Sequence, residues 1–379
     1  LKGEGEGRVN ILLLGVGDPA HAGADLTDTM IVISLDPRTN DVAMLSIPRD
    51  LYVKISGYGS DRINAAHSLA EMKKRGTGPD LAKKTVSETL DIPIHYYVRI
   101  DFTGLKKAVD TVGGVDINVE KDLYDPYYPC DRNENLQCVF RVKKGLVHMD
   151  GAMALKYARS RETTSDFDRA RRQQQVLTAL RDKALQLSTI SNPGKISGLI
   201  DIMGSHIKTD LALWEINKLA EISKKVDAAK IINKVLDNSP DNYLRDANIN
   251  GAYVLLPKTG NFKAIQAFVR SIFVDSYIKQ EDAKIQVENG TARSGLASQA
   301  ADLLKSFNYN VVGIASADRS NYQATVIYDY TNGAKPYTIK YLENRFDAKA
   351  IKTDPPKNQD GSSSLPYDIK IIIGANYQL

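Results

Sequence analysis

Long hydrophobic segments are missing from this sequence. No run reaches the ~18 apolar residues of a membrane-spanning helix, and stretches such as Ile11–Leu14 and Ile371–Ile373 have the length of buried strands instead. We therefore expect the residues present here to fold in water. Because the chain begins at Leu1 rather than Met, we also expect that a targeting or anchoring segment has been removed from its N-terminus.

Several common catalytic signatures are also missing. The sequence has no Walker phosphate-binding loop, no GxSxG elbow and no HExxH pair, and its five histidines lack metal-ligand spacing. The string Gly15–Ala20 matches the degenerate dinucleotide fingerprint and follows a predicted strand. However, Pro19, Gly23 and Asp25 leave no room for the helix that the fingerprint requires. The sequence therefore argues against a Rossmann site.

Cysteine is scarce, and its placement is informative. The only two cysteines, Cys130 and Cys138, lie in the polar, loop-like stretch PYYPCDRNENLQCVFRV. Metal ligation there would need additional histidine or cysteine ligands, which the stretch does not contain. A local disulfide is favoured over two free thiols, and such a bridge would indicate an oxidising compartment.

The composition is that of an ordinary globular protein, with 42% hydrophobic and 25% charged residues. A length of 379 residues predicts two or three domains. The formal net charge of +4 is too small to indicate a nucleic-acid partner, so no nucleic acid is expected. The distribution of the basic residues therefore matters more than their sum.

Alternating strand and helix patterns predict an α/β fold. Strands at Val9–Leu14, Met30–Leu35 and Val42–Ile47 open a mixed sheet, and a long helix is predicted at Phe167–Leu187. We place a first domain at residues 8–275 and a smaller α/β domain, in which the pattern restarts, at 284–379. Polar surface loops are predicted at residues 237–250 and 353–366.

Charged side chains cluster where predicted strands end and helices begin. Pro48 cannot continue a strand ladder, so the strand before it should stop and project Arg49 and Asp50 from its end. Arg62 and Asn64 precede the next helix, with Asn64 a candidate N-cap. Ligands bind at such strand ends in α/β folds.

The long predicted helix carries inward-facing arginines. Its apolar stripe, extended toward the N-terminus, meets Arg169, Arg172 and Gln173, whereas Arg171 and Arg181 fit a solvated face. An inward arginine requires an anion, so either a buried ion pair with Asp166 or Asp50 or a bound anionic ligand is expected. Arg159 and Arg161 precede this helix closely. Convergent guanidinium groups favour a phosphate or pyrophosphate ligand over a carboxylate-rich one.

Two aspartates are candidate ligands of a magnesium ion. Asp28 lies at the start of the second strand, and Asp18 lies in the loop after the first. Mg²⁺ usually takes one or two protein carboxylates together with substrate phosphate oxygens. The alternative is that these residues only shape turns, as loop aspartates often do.

Seven segments, taken in order, resemble the blocks of a LytR-CpsA-Psr domain over roughly residues 8 to 275. They are NILLLGVG, DTMIVISLDPRT, SIPRDLYV, RINAAH, DFTGLKKAVDTVGGVDINV, GLVHMDGAMALKYARSR and DFDRARRQQQVLTAL. The stretch IQVENGTARSGLASQAADLLKSFNYNV is similar to the LytR C-terminal domain. The resemblance implies a twisted mixed sheet flanked by helices, a hydrophobic tunnel for a polyprenyl chain, and an N-terminal membrane anchor.

The resemblance also implies an activity, the magnesium-dependent transfer of a glycopolymer from a polyprenyl-pyrophosphate carrier onto peptidoglycan outside the cytoplasmic membrane. By position in the motifs, the pyrophosphate would be bound by Arg49, Arg62, Arg159, Arg161, Arg169 and Gln173. Asp28, with Asp18, would hold the metal, and Arg49, Arg159, Arg161 and Asp28 would act in catalysis.

Two positions depart from the family pattern. Gly17 stands where the family often has the metal-binding Asp, which displaces Asp18 by one residue, and Leu26 replaces a common Arg.

Two other functions stay open at this point. The arginines could hold a lipid pyrophosphate or an anionic wall polymer without turnover, or they could serve a pyrophosphatase that uses water as the acceptor.

Overall fold

The architecture was analysed in a computed structural model. It describes residues 1–4, 8–18, 23–37, 39–130, 133–160, 166–186, 204–240, 242–273, 278, 281–306, 309–356 and 364–377. The chain divides into two compact units, Leu1–Gln266 and Ala267–Leu379. In the described part of the chain, no helix combines the length and apolar character needed to cross a bilayer.

The first unit contains most of the secondary structure. Its strands are β1 (Val9–Val16), β2 (Thr27–Leu35), β3 (Val42–Ser46), β4 (Tyr52–Ile55), β5 (Gly59–Arg62), β6 (Tyr96–Asp101), β7 (Val115–Val119), β8 (Leu123–Cys130), β9 (Asn133–Val142), β10 (Gly145–Met149), β11 (Ile207–Thr209), β12 (Ile232–Val235), β13 (Leu244–Ile249) and β14 (Ala252–Pro257). Its helices are α1 (Ala65–Lys73), α2 (Gly78–Leu90), α3 (Phe102–Thr111), α4 (Gly151–Arg159), α5 (Asp166–Gln186), α6 (Leu213–Ser223) and α7 (Lys263–Phe273), the last of which runs across the division between the units.

A six-stranded mixed sheet organises this unit, with strand order β11-β6-β1-β2-β3-β12. Strands β1 and β6 are parallel, as are β3 and β12, and the other neighbours are antiparallel. The alternation of β1 gives the sheet two different faces. Leu12 and Leu14 are fully buried on one face, whereas Leu13 and Gly15 on the other are only partly buried.

Helices α3, α4 and α5 cover the face that carries Leu13 and Gly15. Helix α5 packs against α4 and against strands β3, β7 and β12. Its Val176 and Leu180 join Val115, Ile117 and Val119 of β7 in a hydrophobic core. Strands β3 and β12 are parallel neighbours, so their C-terminal ends lie at the same edge of the sheet. Val235 is the last residue of β12, and Arg49 follows the end of β3.

Two regions that the sequence predicts as loops contain strands. The stretch around the cysteines is the hairpin β8–β9, and a disulfide joins Cys130 to Cys138 with their Cα atoms 5.1 Å apart, which is the pairing that the sequence favours. The predicted loop at residues 237–250 contains β13, which pairs with β14. Both predictions are wrong for one reason: largely polar strands in two-stranded sheets show little of the apolar pattern that identifies a strand.

The second unit is a smaller α/β domain, as predicted. It contains β15 (Lys284–Asn289), α8 (Leu296–Ser306), β16 (Asn310–Ser316), β17 (Val326–Asp329), α9 (Pro336–Phe346), β18 (Ala350–Lys352) and β19 (Ile369–Ile373). Its sheet has the order β16-β15-β19-β17-β18, with α8 packed on β15, β16 and β19. Part of the loop predicted at 353–366 lies outside the described residues.

Candidate active site

Two of the five predicted arginines, Arg49 and Arg169, lie with Asp28 and Gln173 at the edge of the main sheet. We call this cluster of four residues the arginine pole. The four residues line a common pocket of about 20 Å³. Arg49 projects from the end of β3, where Pro48 terminates the ladder, and Arg169 and Gln173 lie one turn apart on α5. The arginines at the strand end and on the helix, predicted separately, therefore lie together.

A chain of ion pairs links the pole to Arg62. The Arg49 Nη1 donates to Asp28 Oδ1 at 2.7 Å. The Asp50 carboxylate lies 3.4 Å from Arg49 Nε through one oxygen and 3.4 Å from Arg62 Nη1 through the other. Asp50 is buried, and both of its oxygens face a guanidinium group. It therefore fixes the positions of the two arginines, whose own side chains stay partly open to solvent.

Arg159 approaches the same region from the end of α4. Its guanidinium carbon lies 4.0 Å from the centre of the Phe102 ring and 6.0 Å from that of Tyr128, so aromatic faces hold the cation. Arg161, the next predicted phosphate ligand, lies outside the described residues. Its role stays a prediction.

Arg172 has a role that the sequence pattern does not separate from that of Arg169. Both side chains are buried, but Arg172 donates to the backbone carbonyls of Tyr157, at 2.8 Å, and Ser160. Burial lowers the pKa of this guanidinium. Arg172 thereby ties α5 to the end of α4 that carries Arg159.

An apolar cavity of about 70 Å³ lies between the sheet and helices α3, α4 and α5. Its wall includes Leu13, Leu105 and Leu177. Thr29 and Gln173 line both this cavity and the pocket at the pole. The apolar space therefore ends directly at the arginine pole.

Gly15 keeps this space open. A Cβ atom at Gly15 would lie 2.8 Å from the Cβ of Thr29 on the neighbouring strand, which is closer than side-chain atoms approach. Any larger residue would displace Thr29, which is one of the two residues at the junction of cavity and pole. Glycine at this strand position thus has a packing reason.

Asp18 lies in a different cluster from Asp28. Its carboxylate accepts hydrogen bonds from the backbone N–H and the hydroxyl of Thr103, at 2.9 and 3.1 Å. Asp18, Asp101 and His206 place ligand-type atoms within 4.8 Å of one another, and Asp28 is not part of this group. Asp101 and His206 are already hydrogen-bonded to each other at 3.0 Å. A shared ion between Asp18 and Asp28 stays a prediction.

The fold and site define a class of α/β protein with a guanidinium cluster at the end of an apolar cavity, and comparison with known proteins gives its family. The family model for LytR_cpsA_psr matches residues 2–270, and that for the LytR cell envelope-related transcriptional attenuator matches residues 282–377. The chain therefore belongs to the LytR-CpsA-Psr family.

Individual relatives agree with this assignment. The chain is 38% identical over 213 residues, 56% of its length and 61% of the relative's, to a polyisoprenyl-teichoic acid–peptidoglycan teichoic acid transferase TagU of Oceanobacillus iheyensis. It resembles the crystal structure of Bacillus subtilis TagV with a TM-score of 0.55 and 31% identity, covering 70% of this chain and 97% of that one.

A third relative has a ligand. The family protein YwtF (TagT), solved with bound octaprenyl pyrophosphate lipid, matches with a TM-score of 0.52 and 26% identity over 71% of this chain and 92% of that one. The chain spans about three fifths of the length of the first curated relatives that it matches, 61% and 59%.

Proposed function

We propose that this protein is a phosphotransferase that moves a glycopolymer from a polyprenyl-pyrophosphate carrier onto peptidoglycan. One observation carries the proposal: the apolar cavity and the arginine pole share Thr29 and Gln173. A ligand that fills both spaces must have an apolar chain attached to an anionic head. A polyprenyl pyrophosphate has this chemistry, and the relatives named above act on or bind such lipids.

The reaction is a displacement at phosphorus. The oxygen of a peptidoglycan hydroxyl bonds to the phosphorus next to the glycopolymer, the bond from that phosphorus to the bridging oxygen breaks, and the lipid phosphate leaves. The hydroxyl proton passes to a base. Negative charge grows on the phosphate oxygens, and fixed guanidinium groups at the pole stabilise it without needing to reorganise.

Arg49, Arg169 and, from the sequence, Arg161 are the groups that we assign to the pyrophosphate, with Gln173 at the junction and Arg159 beside Phe102. Arg62 acts through Asp50, which it shares with Arg49. Asp50 is a poor candidate for the base because each of its oxygens already faces an arginine.

Magnesium fits the pole through Asp28. This residue presents a partly exposed carboxylate 2.7 Å from Arg49, and Mg²⁺ prefers one or two carboxylates completed by substrate phosphate oxygens. When bound, the ion would neutralise charge on the phosphates. Asp28→Asn should weaken Mg²⁺ binding to the complex with octaprenyl pyrophosphate, measured by titration calorimetry, and an unchanged Mg²⁺ affinity would remove Asp28 from the metal site.

Three features support an extracytoplasmic location at the membrane surface. The disulfide between Cys130 and Cys138 requires an oxidising compartment. The relatives are named for reactions of the cell wall, and the lipid carrier that we propose resides in the membrane. An anchor to that membrane is part of the proposal.

The cavity must widen to hold a long lipid. Its volume of about 70 Å³ is well below the ~300–1,000 Å³ of sites that enclose small molecules. The half-buried Leu105 and Leu177 belong to helices, and their movement away from the sheet would open the space. We expect lipid binding to be accompanied by displacement of α3 or α5.

Purified protein, Mg²⁺ and a glycosylated lipid pyrophosphate test the function directly. Release of lipid phosphate only when a peptidoglycan acceptor is present, with the polymer becoming covalently attached, is the expected result. Release with water alone would instead identify a pyrophosphatase. Tight binding without release would identify a binding module and would contradict the proposed transfer.

A further inference from the structure

A second, larger depression lies on the other side of α5, and we call it the polar groove. Its volume is about 670 Å³, which is within the ~300–1,000 Å³ range of ligand sites. Helix α5 forms the floor through Arg171, Gln175, Thr178 and Asp182, which are spaced to lie along one stripe of the helix. Strand β7 forms one wall and β12 with the segment after it forms the other.

The two walls are strand edges without a further partner among the described residues. Strand β7 pairs only with β10, and β12 is the last strand of the main sheet. Asn118 of β7 and Asn233 of β12 are exposed and face the space between the strands. Amide groups of this kind both donate and accept hydrogen bonds.

The polar groove adjoins the arginine pole. Val235, at the end of β12, lines both the groove and the pocket that contains Asp28 and Arg49. Gln174 of α5 is held at this boundary, since its Nε2 donates to the Ser46 hydroxyl and to the Lys234 carbonyl, both at 2.9 Å. The groove and the arginine pole therefore meet at Val235, beside the Gln174 contacts that tie α5 to β3 and β12.

Carboxylates outnumber cations in the lining of the groove, which disfavours a polyanion. Four carboxylates line it, those of Asp116, Glu120, Asp182 and Asp237, against two cations, Arg171 and Lys234. Arg171 is itself paired with Asp168 at 2.9 Å. Asp116 and Asp182 are in turn paired with Lys183, at 3.5 Å, and with Arg181, at 2.7 Å, neither of which lines the groove. A phosphate-rich glycopolymer would be repelled, whereas carboxylate and amide oxygens suit the hydroxyl and acetamido groups of a neutral sugar chain.

We propose that the polar groove binds the acceptor, a neutral glycan strand of N-acetylated sugars, and delivers its hydroxyl to the pole past Val235. This inference rests on the proposed transfer for its purpose but not for the binding itself. The groove thereby separates acceptor from donor: the lipid occupies one side of α5, the acceptor the other, and the two meet at the arginines.

The experiment uses the whole chain and two blocking variants, Asn118→Trp and Asn233→Trp, with the milder Asn233→Ala as a check on folding. Met72→Trp is the bulk-matched control because Met72 is exposed on α1, away from the groove. Binding of a neutral N-acetylglucosamine tetramer is measured by calorimetry or NMR without donor. We expect both tryptophan variants to raise its Kd about 10-fold or more, while Met72→Trp leaves it unchanged.

Steady-state kinetics test whether the groove binds the acceptor. In the transfer reaction, Asn118→Trp and Asn233→Trp should raise the acceptor KM about 10-fold or more, with little change in the affinity for octaprenyl pyrophosphate. An unchanged acceptor KM with normal folding overturns the proposal. The proposal is also overturned if a stem peptide without sugar, or the anionic donor polymer, displaces the N-acetylglucosamine tetramer, because the groove would then hold a different molecule.

The two proposals fail in distinguishable ways. If no variant or wild-type protein transfers polymer, but the tetramer binds and both tryptophan variants lose it, the transferase proposal fails and the glycan groove stands. If transfer proceeds normally in both tryptophan variants, the groove fails and the transferase stands.

Discussion

Helix α5 presents two chemically opposite sides within four turns. One side carries Arg169, Gln173, Val176 and Leu177 toward the arginine pole and the apolar cavity. The other carries a polar stripe toward the groove, listed in chain order as Arg171, Gln174, Gln175, Thr178 and Asp182. Neighbouring residues such as Leu177 and Thr178 therefore line different spaces.

If the cavity holds the lipid and the groove holds the acceptor, as we propose, one helix keeps two unlike substrates apart until they react. A membrane lipid needs an apolar space, and a wall glycan needs hydrogen-bonding groups in water. Because α5 begins beside the arginine pole, both of its sides lead to that cluster.

Arg49 lies where the two sides meet, so its removal should have the largest effect. Arg49→Ala takes away the guanidinium beside Asp28, and we expect turnover to fall about 100-fold. Arg49→Lys keeps the charge but loses the planar fork and should fall about 10-fold. The matched control is Arg141→Ala, an exposed arginine stacked on Tyr124 of the hairpin. A large fall in melting temperature with normal turnover per folded molecule would show that Arg49 is only structural.

Arg171 and Arg172, at adjacent positions, compare the groove side of α5 with the buried side that contacts the end of α4. Arg172→Met leaves the carbonyls of Tyr157 and Ser160 without their donor, so the free energy of unfolding should fall by about 2–3 kcal/mol. Arg171→Met removes a half-exposed side chain paired with Asp168 and should change it by about 0.5 kcal/mol or less. Denaturant unfolding of both variants decides this. Equal losses would mean that the helix sides are not distinguished in the way described.

The inward arginines of α5 are the part of the site that the sequence predicts best. A helical stripe identifies Arg169 and Arg172 as buried, and both are. The same reasoning expects Arg181 to be more solvated than Arg169, and it is, but its guanidinium also donates to the carbonyls of Ser223, at 2.6 Å, and Val226. Periodicity shows which side of a helix faces inward, but it does not show what packs beyond the helix end.

The polar groove could not be predicted from the sequence. Its residues come from β7, α5 and β12, which are far apart in the chain, and β12 is too short and too polar to give a strand signal. The pole was predictable because each of its segments ends a strand or begins a helix. Only the fold shows that Val235 joins the two sites.

Substitutions at Leu177 and Thr178 test separately whether the apolar cavity binds the lipid and the polar groove binds the acceptor. Leu177→Trp fills the apolar cavity and should weaken octaprenyl pyrophosphate binding about 10-fold, with the acceptor KM little changed. Thr178→Trp fills the groove and should raise the acceptor KM, with octaprenyl pyrophosphate binding little changed. Each variant is the control for the other, since the substitutions are adjacent on one helix. If both variants lose both ligands, the two spaces are not separate.

The smallest predicted effect is a pH dependence of stability caused by His67, which contacts the segment that leads to Asp28. The buried His67 donates through Nδ1 to the carbonyl of Asp25 at 2.7 Å, and burial lowers the pKa of His67 from its ordinary 6.5. The unfolded chain therefore takes up this proton more readily than the folded one. The stabilisation is present above pH 6.5 and is lost as the pH falls below it, by less than about 1.4 kcal/mol per pH unit. His67→Gln should remove this dependence of the free energy of unfolding on pH between pH 7 and 5, measured by denaturant unfolding. Glu71 does not account for it, because, against the effect of burial, hydrogen bonds from backbone N–H groups lower its pKa from 4.5 and its stabilisation is lost only at more acid pH. A slope that persists in His67→Gln would assign the acid sensitivity to another group.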